Sequence, residues 1–171
     1  NLGKLLADDG QLAEAVDVLA EAARRDQRNV RARQNLASAL LILGRKNEAS
    51  HWYAEANALL LERLKLNSSD RDALSTLAHN YAFVGNREMA MRYAQQALQL
   101  SGLSQSDKTS IALALLHVGK RGKARDLVNE LLAEGVSEES LRRYGSLRSL
   151  IAAGHSSESA LPGPIIVNRS R

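Results

Sequence analysis

The chain has 171 residues, enough for one compact domain or a short solenoid, and is 44% hydrophobic but only 4% aromatic. Cysteine is absent, which excludes disulfides, thiolate zinc sites and a cysteine nucleophile. The net charge of +4 is spread out and lacks the dense basic stripe of a nucleic-acid binder. Its surplus falls late, at Lys120, Arg121, Lys123, Arg125, Arg142 and Arg143, and reads as a solvated face. The apolar side chains are mostly Ala and Leu, which favours closely packed helices over sheets. Pro162 and Pro164 are the only prolines, so everything before them is free of the strongest helix breaker. No run of about eighteen apolar residues occurs, and no membrane-spanning helix is predicted.

Taken in chain order, four helix pairs are predicted, because the same columns recur four times. Turn glycines stand at Gly10, Gly44, Gly85 and Gly119, spaced 34, 41 and 34 residues apart. A small residue follows each at Ala15, Ala49, Ala90 and Ala124, and a third column holds Ala22, Ala56, Ala97 and Leu131. On the first helix of each pair the column is Leu2-Gly3, Leu36-Ala37, Leu77-Ala78 and Ile111-Ala112. Glycine adopts the left-handed conformation that ends the first helix, and the Ala columns let helix backbones approach closely.

The 41-residue step holds seven extra residues, in the run from Ala58 to Leu66. Seven residues are about two helical turns, so the second helix of that pair is predicted to lengthen without losing its face. Ala49, Tyr53, Ala56, Leu60 and Leu64 continue one stripe, and Asn67-Ser68-Ser69-Asp70 stops it and caps the next helix. Leu59, Leu61 and Leu66 lie off the stripe, either as a contact site or packed against the next helix. After the fourth pair, Ser137 caps a terminal helix with Leu141, Tyr144, Leu147 and Ile151 on one face and Gly154 to close it. Residues 155–171 contain Ser and Pro and read as disordered.

A helix–turn–helix period of 34 residues with these columns resembles the tetratricopeptide repeat (TPR) family over about residues 1–135. The family's large first-helix residue is Leu6, Leu40, Tyr81 or Leu115, and its bulky second-helix residue is Leu19, Tyr53, Ala94 or Val128. Arg33, Leu74 and Lys108 replace its early Trp, and Gln27, Gly102 and Val136 stand at three of its late Pro slots; both departures are expected to weaken single repeats. The resemblance implies an all-α fold, a right-handed α-solenoid of TPR helix–turn–helix repeats. The division expected is 1–29 for an N-terminally truncated repeat, 30–70 for one with an extended second helix, 71–104, 105–136, a capping helix 137–154 and the tail. The longer second repeat looks like the kinesin-light-chain variant, and the Ala, Leu and Arg usage is bacterial in style.

Chemistry is sparse. There is no phosphate loop, dinucleotide glycine motif, HExxH or Gly-x-Ser-x-Gly elbow. His51, His79, His117 and His155 have no histidine partner at i+3 or i+4. No catalytic residue, cofactor or metal site is expected, and the chain is read as a non-enzyme. Asn67-Ser68-Ser69 and Asn168-Arg169-Ser170 match the glycosylation sequon, which matters only in a secretory protein.

The resemblance places a binding groove on the first helices of the repeats, with a protein or peptide partner and no nucleic acid or membrane insertion. One slot holds Asn1, Asn35, Thr76 and Ser110, similar to the asparagine ladder of O-GlcNAc-transferase-type arrays, where amides grip a peptide backbone. Its neighbours are Lys4, Asp8, Arg31, Gln34, Ser38, Asp72, Ser75, His79, Phe83, Ser106, Thr109 and His117. This polar mixture with one aromatic suits an extended peptide or a helix. Asp72 and Thr76 stand where chaperone-tail TPRs carry a basic pair, which argues against a carboxylate clamp. Two other readings are a substrate-positioning segment of a larger enzyme, such as a glycosyltransferase or sulfotransferase, and self-association by end-to-end stacking.

Overall fold

A computed structural model describes residues 9–151, with side chains from Leu12 onward. Asn1, Lys4 and Asp8, the start of the first predicted pair, Gly154 and the segment 155–171 lie outside the described residues. The elements are α1 Asp9–Arg25, α2 Val30–Ile42, α3 Lys46–Leu66, α4 Arg71–Phe83, α5 Arg87–Leu98, α6 Gln105–His117, α7 Arg121–Ala133, α8 Glu138–Arg142, a 3-10 turn Gly145–Leu147 and α9 Arg148–Ile151. The described residues contain no strand, and the fold is an all-α helical-repeat solenoid.

Local chemistry explains the boundaries. Asn29, Asp70, Asn86, Ser104 and Ser137 each accept a hydrogen bond at a helix start, and Ser104 with Asp107 forms a reciprocal capping box. At the other end, Gly44, Gly85 and Gly119 sit at φ 74, 83 and 80. The residue after each glycine donates to the helix carbonyl five positions back: Arg45 to Leu40, Asn86 to Tyr81 and Lys120 to Leu115. A Cβ on Gly85 would meet nothing within 4 Å. Gly85→Ala therefore isolates the conformational penalty, and a loss of about 1 to 2 kcal/mol in urea unfolding is expected. Gly10 is different: it is the second residue of α1 and lies within the helix.

From α1 to α7 each helix packs on its chain neighbours, α9 packs back on α7, and α4 also packs broadly on α6, whereas α2 and α4 approach each other less closely. The apolar core is split into two clusters. Leu12, Val16, Ala23, Ala32, Leu36, Leu40 and Ala49 belong to one. Leu60, Leu74, Leu77, Ile111, Leu115, Val128, Leu131 and Leu141 belong to the other. The 21-residue α3 spans both, giving Ala49 to the first and Leu60 to the second. Leu61 and Leu64 pack against the second cluster, and Leu66 is 91% exposed. Leu59 and Trp52 line a cleft that faces the end of α1.

Two of the slots where the family has Trp carry cations that reach the following helix. Arg33, buried, donates to Glu55 at 3.2 Å and to the backbone carbonyls of Asp26 and Asn29. Lys108 contacts Glu130 and Glu134 at 3.0 and 2.5 Å.

The expected single capping helix is corrected. The chain breaks at Tyr144, which is extended (ψ 95) and 46% exposed. Leu141, Leu147, Leu150 and Ile151 are all buried. On a straight helix at 100° per residue, Leu150 would point away from Leu141, so the break lets all four reach the core.

Candidate functional site

The site is built from α2, α4 and α6, the first helices of successive pairs. Most of their polar side chains are occupied inside the fold. Gln34 Nε2 donates to Asn80 Oδ1 at 2.8 Å, and Asn80 Nδ2 donates to Asn57 Oδ1 at 2.8 Å. Asn80 is fully buried and Asn57 is 5% exposed, so this relay ties α2, α4 and α3 together where the apolar clusters part. Ser38 Oγ pairs with the Tyr53 hydroxyl at 2.9 Å; burial pushes that phenol up to about 12, against the effect of the Ser38 bond. Ser75 Oγ donates to the Asp72 carbonyl and to Asp107 Oδ1, and Thr109 Oγ1 donates to the Gln105 carbonyl.

Three polar residues behave differently. Asn35 and Ser110 are half-buried and Thr76 is 8% exposed, yet no hydrogen bond joins any of their side chains to another described residue. They are the described members of the predicted row, one per pair, at the same distance before the turn glycine. No side-chain polar atom among the described residues is both fully buried and unpaired, so their free groups reach solvent. Arg31 and Ser106 are exposed, and Asp72 is drawn to Arg63 of α3 at 2.9 Å.

The second feature is a ring stack. Phe83 and His117 are 34 residues apart, the repeat period, and so hold one slot on α4 and α6. Their ring centroids lie 4.0 Å apart at 28°. His79, one turn before Phe83, stacks on it at 4.4 Å and 30°. Ile42 holds the same slot on α2 and is 50% exposed, so the column is apolar along its length. Burial pushes His79 down to about 4; the Asn80 contact opposes this and the neighbouring His117 ring adds to it. Burial also lowers His117, whose hydrogen bond to the Leu113 carbonyl works the other way. Neutral rings thus line this part of the surface at pH 7.

Of the predicted residues, the structure brings His79, Phe83 and His117 into contact and leaves Asn35, Thr76 and Ser110 unpartnered. It commits Gln34 and Ser38 to internal bonds. Asn57 and Asn80 escaped the sequence reading. Their signal was an amide within an otherwise apolar stripe, as at Asn57 beside Tyr53, Ala56 and Leu60. Among the described residues, no group of three or more His, Cys, Asp or Glu is placed to hold a metal, and no helix is long and apolar enough to cross a membrane.

A tetratricopeptide repeat family model matches residues 30–59, which covers α2 and the first part of α3. No curated protein matches the chain.

Proposed function

This chain is a tetratricopeptide repeat protein, a class that mediates protein–protein interactions, and from that premise we propose that it is a scaffold holding an extended peptide or a helix along α2, α4 and α6. In this reading it binds and does not catalyse. The observation that carries it is the contrast along these helices. Gln34, Ser38, Ser75 and Thr109 are bonded inside the fold, while Asn35, Thr76 and Ser110 keep their donors and acceptors free. Such a row suits the repeating N–H and C=O groups of a peptide backbone. The apolar column of Ile42, Phe83 and His117 beside it supplies the surface on which a partner side chain rests.

The test is affinity capture from native lysate with wild type and Asn35→Ala/Thr76→Ala/Ser110→Ala, after circular dichroism shows equal helicity. Losing three hydrogen bonds of about 0.5 to 1.5 kcal/mol each is expected to weaken a groove partner at least tenfold. A partner retained equally by both proteins would place binding elsewhere on the molecule.

A further inference from the structure

Counting from the helix starts adds a fourth residue to the row of Asn35, Thr76 and Ser110. Asn29, Asp70 and Ser104 cap α2, α4 and α6, and each row member stands six residues after its cap. Ser137 caps α8 by the same kind of side-chain bond, and six residues on is Arg143. The backbone is still helical at Arg143 (φ −60, ψ −28) and turns extended at Tyr144. The 3-10 turn that follows packs on α6, so the segment continues the series of first helices. Arg143 is the one charge among the described members of the row. We propose that Arg143 extends the row beyond α6 and sets its selectivity, so that the segment held along α2, α4 and α6 carries a carboxylate side chain where it passes α8.

Like the other row members, Arg143 is uncommitted. It is exposed, and no hydrogen bond or ion pair joins its guanidinium to another described residue. The arginines around it are engaged: Arg142 with Glu138 at 2.9 Å, Arg148 with the Arg142 carbonyl and Arg121 with the Ser149 carbonyl. Glu139, one turn back on α8, is exposed and forms no pair with it. Arg121, Arg142, Arg143 and Arg148 against Glu138 and Glu139 leave two positive charges in excess here, which favours an acidic partner group. A free guanidinium accepts a carboxylate in a two-bond fork, whereas the neutral row members suit a peptide backbone of any sequence. Beside it the helix break leaves Tyr144 46% exposed with an unpartnered hydroxyl, and Arg and Tyr are the side chains that most often anchor a partner.

This inference rests on the groove reading, and the test separates the two. The probe is a phage library of random nine-residue peptides, each about 30 Å when extended, selected on the immobilised full chain. Wild type is expected to enrich peptides with Asp or Glu near one end. Arg143→Glu is expected to enrich Lys or Arg at that same end, and Arg143→Gln to lose the end preference while keeping the rest of the motif. Arg143 is exposed, so these substitutions leave the core alone, and circular dichroism checks it. A synthetic peptide from the wild-type pool is expected to bind Arg143→Gln about three- to tenfold more weakly by fluorescence polarisation, with the difference shrinking as salt rises. Arg142→Gln, which removes a cation already paired with Glu138, is expected to change affinity by less than about twofold. Identical peptides from wild type and Arg143→Glu, or a wild-type pool with no acidic position, would overturn the role of Arg143. If such peptides are still lost by Asn35→Ala/Thr76→Ala/Ser110→Ala, the groove reading stands without it. No enriched peptide at all counts against both.

Discussion

Asn80→Ala is expected to destabilise the fold by about 3 kcal/mol, more than its size suggests, because it orphans two partners. Gln34 loses its acceptor and Asn57, 5% exposed, loses its donor, where little water can substitute. Urea unfolding is the measurement. Coupling is the diagnostic. In a double-mutant cycle, Asn57→Ala added to Asn80→Ala is expected to cost much less than it does alone, because the relay is already broken. Additive costs would mean that the two amides contribute independently.

Arg33→Ala is the second large effect, expected at about 2 to 3 kcal/mol in the same assay. The guanidinium is enclosed and ties α2 to Glu55 of α3, while two of its bonds hold the Asp26 and Asn29 carbonyls of the preceding loop. Truncation removes the packed stem and frees those carbonyls, whereas Glu55 is 42% exposed and returns to water. Arg33→Met restores the stem without the charge, and is expected to recover at least half of the loss if packing dominates. A Met variant as unstable as the Ala variant would assign the effect to the hydrogen bonds.

Arg33 also shows where the sequence was legible and where it was not. The columns at period 34 named Leu36, Ala37, Leu77, Ala78, Ile111, Ala112, Ala49, Ala90 and Ala124, and none of these is more than 1% exposed. Such positions are readable because a helix pair buries the same face in each copy, and only small or apolar residues tolerate it. At the Trp slots the same logic read Arg33 and Lys108 as departures that weaken a repeat, yet both make cross-helix ion pairs. Their acidic partners stand 22 residues on, at Glu55 and Glu130, a spacing that periodicity in apolar residues does not register.

The inner surface was legible in the same partial way. Its slots follow from the period, which puts Phe83 and His117 in one slot of successive pairs, but the contact between their rings appears only in the structure. Which polar side chains would remain free did not follow, because that depends on partners brought in from other helices. Gln34 and Asn35 are adjacent in sequence, but only Gln34 faces Asn80. The terminal segment failed for a geometric reason: four apolar residues spaced too unevenly for one helical face were served by breaking the helix.

The length of α3 has a mechanical consequence. A solenoid whose repeats touch only their neighbours is coupled only through the interface between one repeat and the next. Here one rod, about 30 Å long by its residue count, is embedded at one end in the first apolar cluster and at the other in the second. Pulling either cluster apart levers the same helix out of the other. The two middle repeats are therefore expected to yield as a single element.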